Sequence, residues 1–209
     1  MTTLYLLRHG ATQANLERPY RLQGRRTNPA LAPLGIRQAE LTRALLAGIA
    51  IDRVYSSPLL RARQTARILA TSHRRRVHVL NQLIECDVGR WEGLTWEAIR
   101  SQDRRACQQF ESNPARHGYP GGESFQQVAE RANPALDALL AAHAGETLLV
   151  VGHHVVHRVF LASLLGLPLA EAKRVRLDNC GISIVVREDG KARVATLNAT
   201  FHLRELEAV

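Results

Sequence analysis

The chain has 209 residues, 45% apolar and 22% charged, a composition and length that suit one globular domain with a substantial core and exclude a mainly disordered polypeptide. No apolar run approaches the roughly 20 residues of a membrane span, and the N-terminus lacks the basic region of a signal peptide, so a cytoplasmic protein with no membrane partner is expected. The net charge of +9 and a pI near 10.4 point to an anionic partner. All but two of the 28 basic side chains are arginine, the exceptions being Lys173 and Lys191. They are dispersed, the densest run (Arg74-Arg75-Arg76) reads as solvated surface, and the few aromatics form no stacking ladder, so nucleic acid is not an expected partner. The three cysteines, Cys86, Cys107 and Cys180, have no CxxC spacing and read as isolated reduced thiols.

Residues 3–7 are short and apolar and end in a polar turn, as a buried parallel strand does. Apolar residues at helical spacing follow over 34–47, stopped by Gly48. A second strand is expected at 53–56. Pro58 then opens a helix over 59–70, and a third strand occupies 77–80. Residues 85–95 read as a polar, glycine-bearing loop, 96–110 as one helix, and 113–122 as a loop rich in Pro and Gly. Ser124 and Gln127 match a capping box, starting a helix that runs to about His143. A very apolar strand over 146–151 precedes a helix over 155–165. Two final strands, 181–187 and 191–198, flank the hairpin turn Asp189-Gly190. Alternating strands and helices predict a three-layer α/β/α sandwich on a mostly parallel sheet with an antiparallel edge hairpin. A single domain, 1–209, is expected, with a small cap of about residues 90–122 over the carboxyl ends of the strands.

Three strand ends carry the chemistry. Arg8-His9-Gly10 closes the first strand, Ser56-Ser57-Pro58 leads to Arg61 after the second, and Gly152-His153-His154 follows the apolar strand. Parallel strands bring these ends to one edge, where ligands of open α/β sheets bind. Two arginines and two histidines converging there form a cage for a dianionic phosphoryl group. Gly10 is expected to turn the backbone sharply and bring its N–H to the ligand. His154 and His157 stand three apart on a helix, but no third ligand is evident and no metal site is expected.

With these residues assembled, the chain resembles the histidine phosphatase superfamily, the phosphoglycerate mutase-like family, over nearly its whole length. Leu7-Arg8-His9-Gly10-Ala11-Thr12 with Asn15 is similar to the opening motif. Gln23-Gly24 resembles the turn that follows it, and Tyr55-Ser56-Ser57-Pro58-Leu59-Leu60-Arg61-Ala62 with Gln64-Thr65-Ala66 the second-arginine motif. Glu85 with Gly89-Arg90-Trp91-Glu92-Gly93 resembles the acid-bearing loop. Pro120-Gly121-Gly122-Glu123-Ser124 and His153 with Arg158 complete the order. The chain departs at Gly152, where Ser is usual, at His154 and Val155, where a Gly pair is usual, and at Thr27, where Asp is common.

The resemblance implies catalytic roles for His9, Arg8, Arg61, Glu85 and His153, and no cofactor. His9 would be the nucleophile and must be neutral to attack phosphorus. Arg8, Arg61 and His153 would hold the phosphoryl oxygens, His153 best if protonated. Glu85 would be the general acid and base, with Asp87 and Glu92 as rivals in the same loop. Asn15, Gln23, the Gly24 N–H and His154 are expected to contact substrate, and Trp91 and Trp96 to pack the cap. The expected activity is hydrolysis of a small phosphorylated metabolite, for which the resemblance spans α-ribazole phosphatases, sugar-bisphosphate phosphatases and broad-range enzymes. The alternatives are a cofactor-dependent phosphoglycerate mutase and a non-catalytic phospho-ligand module. Gln23, where mutases usually carry Thr, and the short chain favour the phosphatase. The resemblance also allows a homodimer.

Overall fold

The computed structural model describes residues 1–206. In chain order the elements are β1 (Thr2–Arg8), α1 (Gln13–Leu16), α2 (Pro33–Leu46), β2 (Arg53–Ser56), α3 (Leu60–Ala70), β3 (Val77–Val79), α4 (Trp96–Gln102), α5 (Arg104–Ser112), α6 (Phe125–Ala142), β4 (Thr147–Gly152), α7 (His154–Leu164), β5 (Ile182–Glu188) and β6 (Lys191–Ala199), joined by turns and short 3-10 segments. The six strands form one sheet in the order β3-β2-β4-β1-β5-β6. The first four are mutually parallel, while β5 runs antiparallel to β1 and pairs with β6 in a hairpin. Asp189 and Gly190 both take positive φ at its turn, 48° and 78°, as a tight hairpin loop requires.

Strand side chains alternate between two apolar layers. Leu4, Leu6, Leu148 and Val150 face α6 and α7, packing with Val128, Leu136, Val156 and Phe160. Leu7, Leu149, Val151 and Val54 face the other way, against Ala62, Ala66 and Leu69 of α3. Each such fully buried large side chain contributes about 1.5–3 kcal/mol of hydrophobic stabilisation. These two layers on one sheet are the expected three-layer sandwich. All three cysteines are buried and unpaired. Among the described residues no helix is long and apolar enough to cross a membrane.

The helix expected over 96–110 is two helices. Asp103 (φ −139°, ψ 43°) breaks it, and its Oδ2 accepts hydrogen bonds from Trp91 Nε1 at 2.8 Å and Arg90 Nη2 at 2.7 Å. Local propensity is continuous there, so the break is a tertiary effect: α5 turns back and brings Phe110 onto the fully buried Trp91. Trp91, Trp96, Phe110, Tyr119 and Phe125 form one aromatic cluster, with centroid separations from 4.4 to 6.0 Å. The expected capping box is present: Ser124 Oγ accepts from Gln127 N–H (3.2 Å), and Gln127 Oε1 accepts from Ser124 N–H (2.8 Å).

Candidate active site

Strand register sets the site. Arg8 lies opposite Gly152, and Ser56 opposite Val151. Beyond the last pairs, His9 N–H donates to Gly152 O (3.1 Å) and Ser57 N–H to Val151 O (3.0 Å). The ladder therefore releases His9, Ser57 and His153 side by side. All three are buried, and the two imidazole rings meet edge to face at 5.2 Å.

The His9 ring is fixed on both sides. Its Nδ1 lies 2.7 Å from Gly10 O, and a carbonyl only accepts, so Nδ1 carries the proton and Nε2 presents its lone pair. Arg61 Nε donates to that Nε2 at 3.2 Å. Burial first, then the Arg61 and Arg8 charges, hold His9 well below the usual histidine range, so it is neutral at physiological pH. Arg61 is itself fully buried, its Nη2 donating to Gly24 O (2.9 Å) and Nη1 to Thr27 O (3.2 Å). Arg8 is anchored by Nη1 to Leu177 O (2.9 Å), and its buried Nε has no protein partner among the described residues. Burial pulls both guanidinium groups down to about 10, still charged at neutral pH.

Gly10 serves a different purpose from the one expected. Its N–H donates to Thr65 Oγ1 at 3.0 Å, so it is not free for a ligand. A Cβ at Gly10 would overlap the backbone oxygen of Gly35, and one at Gly35 would overlap Ala11 O. The two glycines let the start of α2 pack directly on the loop that carries the nucleophile.

Glu85 is buried against the N-terminus of α7. Oε1 accepts from Cys86 N–H (2.8 Å), and Oε2 from His154 N–H (3.0 Å) and Val155 N–H (3.4 Å). Burial raises its pKa and outweighs these hydrogen bonds and the nearby Arg61 and Arg8 charges. The rivals are committed elsewhere. Asp87 pairs with Arg25 (3.1 Å) and Arg26 (2.9 Å). Burial pushes the Asp87 pKa up, but hydrogen bonds from Arg26 and Gly89 N–H win and hold it low, which suits a permanent anion rather than a proton donor. Glu92 Oε1 accepts from Gly24 N–H (2.9 Å) and Thr27 Oγ1 (2.7 Å).

A cleft of about 490 Å³ opens over this centre, with Arg8, His9, Glu85, Asn15, Gln23 and His154 in its wall. The amide oxygens of Asn15 and Gln23 each lie 3.1 Å from Thr12 Oγ1, which turns their NH₂ donors the other way. Arg61 and His153 are fully buried beside His9 and do not line the cleft. Gly24 is not in the wall: its N–H is taken by Glu92, and it acts through its carbonyl on Arg61. Trp96 packs in the aromatic cluster, as expected of a cap residue, and lines the cleft as well. Arg158, Tyr119, Asn179 and Ser57 were not anticipated as site residues. Arg158 follows His154 by one helical turn, a readable signal, and Asn179 Nδ2 donates to His9 O (2.8 Å) from a loop distant in sequence. The His157 ring takes the space that a Cβ on residue 152 would need, which accounts for glycine at that position. Among the described residues no group of three or more His, Cys, Asp or Glu is arranged to hold a metal ion.

This architecture and its strand-end histidines have a family. The chain belongs to the histidine phosphatase superfamily, branch 1, whose model matches residues 4–200. It is 36% identical, over 97% of its length, to a bifunctional protein of Mycobacterium tuberculosis, and it spans about 55% of that relative's length. It is 34% identical to a Yersinia pestis protein named a probable phosphoglycerate mutase, covering 88% of this chain and 85% of that one. The phosphoserine phosphatase of Entamoeba histolytica, solved with 3-phosphoglyceric acid, superposes with a TM-score of 0.86 at 30% identity, covering 97% of this chain and 100% of that one. Members of the superfamily are phosphatases or mutases.

Proposed function

We propose that the protein is a metal-independent phosphomonoesterase acting on small phosphorylated metabolites, with His9 as nucleophile and Glu85 as general acid and base. The observation that carries the reading is the paired arrangement of a neutral His9, unprotonated at Nε2, and a Glu85 carboxyl whose pKa is raised in the same cleft. His9 Nε2 attacks phosphorus, the ester P–O bond breaks, and the leaving oxygen takes the Glu85 proton. Water then attacks the phosphohistidine and gives its proton to Glu85, and the N–P bond breaks to release inorganic phosphate. Arg8, Arg61 and His153 hold the phosphoryl oxygens through both steps. Asn15 and Gln23 donate from the side, and His154 faces the leaving group.

The test is phosphate release from a panel of phosphomonoesters (3-phosphoglycerate, sugar phosphates, nucleotides and an aryl phosphate) with chelator present. Release that survives chelation and disappears in His9→Ala supports the reading. Interconversion of phosphoglycerates primed by the 2,3-bisphosphate, without net phosphate release, would instead make it a mutase, the activity in the Yersinia relative's name. Tight phosphate binding with no turnover of any kind would leave a phospho-ligand module.

A further inference from the structure

Ser57 stands between the second strand and α3, and its hydroxyl meets the other histidine of the site. His153 Nε2 lies 2.6 Å from Ser57 Oγ, and both side chains are fully buried. The same Oγ accepts the backbone N–H of Leu59 at 3.3 Å. Among the described residues no other partner is available to the Ser57 hydroxyl proton, and His153 Nδ1 is buried with no protein partner.

The proton arrangement follows by elimination. If His153 carried a proton on Nε2, as the Nε2–H tautomer or as imidazolium, that proton would point at Ser57 Oγ. The buried serine hydroxyl would then have no acceptor, a cost comparable to any orphaned buried donor. In the neutral tautomer the Nε2–H form would also turn its Nδ1 lone pair, the only ring nitrogen left over, toward an anionic phosphoryl group. With the proton on Nδ1, Ser57 O–H donates to Nε2, Oγ still accepts from Leu59, and Nδ1–H alone waits for an acceptor in the resting protein. Every other arrangement leaves the serine hydroxyl unpaired as well.

We infer that Ser57 is a positioning residue that fixes His153 as the neutral Nδ1–H tautomer, so that His153 serves the phosphoryl group as a hydrogen-bond donor rather than as a cation. This replaces the protonated His153 expected from the sequence. The charge on the phosphoryl group is then met by Arg8 and Arg61, while His153 supplies direction. The inference rests on the proposed reaction only for what the donor acts on; the tautomer itself is a property of the resting protein.

The test is nitrogen NMR of isotope-labelled histidine at near-neutral pH, with the His153 signals assigned by their loss in His153→Gln. The expected result is a protonated Nδ1 and an unprotonated Nε2, kept on adding inorganic phosphate. Ser57→Ala should lose this single tautomer and lower kcat/KM for an aryl phosphate by roughly 10- to 100-fold, because a misaimed donor is a displaced catalytic contact. Ser57→Thr, which keeps the hydroxyl, should restore the tautomer and most of the rate. An Nε2–H or doubly protonated His153 in the unmodified protein overturns the inference, whether or not Ser57→Ala folds. So does a Ser57→Ala protein that retains the Nδ1–H tautomer. The NMR readout needs no turnover, so failure of the phosphatase reading and failure of this inference are separately visible.

Discussion

Replacing Glu85 with Gln keeps the shape of the side chain and removes its proton. The carboxylate accepts three backbone N–H groups, one from Cys86 on Oε1 and two from His154 and Val155 on Oε2. An amide has one oxygen, so whichever way it turns its NH₂ faces a backbone donor. At least one buried donor is orphaned, a cost of about 1–3 kcal/mol in stability. The folded-state pKa of Glu85 is raised, so its contribution to stability is fully present below the unfolded carboxyl pKa and is lost as pH rises through the folded value. The stability gap between the two proteins should therefore narrow toward alkaline pH. Catalysis loses more. A positioned acid contributes about 10²–10⁴-fold, or about 3–5 kcal/mol of barrier, and an alkoxide leaving group needs all of it. An aryl phosphate departs as a stable phenolate and needs little protonation, but water attacking the phosphohistidine still needs a base. Stopped-flow measurement with an aryl phosphate should show a burst of about one phenolate per active site and then slow turnover, while alkyl phosphates lose the full factor. Equal losses on both substrates with no burst would refute the assignment of Glu85 as the proton carrier.

The pH–rate profile should be shifted relative to one governed by an ordinary histidine. His9 is held neutral well below the usual range, so kcat/KM should persist as pH falls through about 6.5, where a free histidine titrates, and should decline as pH rises through the raised pKa of Glu85. An acid limb centred on the ordinary histidine range would contradict the desolvated His9. Gly10→Ala should destabilise the fold by about 1–3 kcal/mol, since the added methyl overlaps the Gly35 backbone and the start of α2 must shift. Thermal denaturation checks it, and an unchanged melting temperature would show that the loop and helix are not locked together.

The elements that carry chemistry were legible because their signals are local. The apolar runs ending at Arg8 and Gly152 are too short for helices and are punctuated by polar turns, and parallel pairing then places His9 and His153 together without further information. The proposed pairing of Arg61 with His9 could be anticipated from the second strand-to-helix junction in the same way. The break at Asp103 could not be, because α4 and α5 are separated by a carboxylate that answers to Arg90 and Trp91 rather than by a proline or glycine. Gly24 was misread for a related reason. A glycine in a turn signals close approach, but only the fold reveals that what approaches is Glu92. Asn179 had no sequence signal, since nothing in its neighbourhood announces that it reaches the carbonyl of His9.

Trp96 and Tyr119 belong to two structures at once. They face the cleft, and they are also members of the aromatic cluster that seats α4 and α5 on the core. A change at either position that adapts the enzyme to a new leaving group must also remove part of what holds that segment in place. Side chains such as Gln23, which face the cleft without belonging to the cluster, carry no such double duty. Shifts in substrate range along this lineage should therefore accumulate first at the lightly packed rim, and should reach the tryptophan and tyrosine only in backgrounds that already have stability to spare.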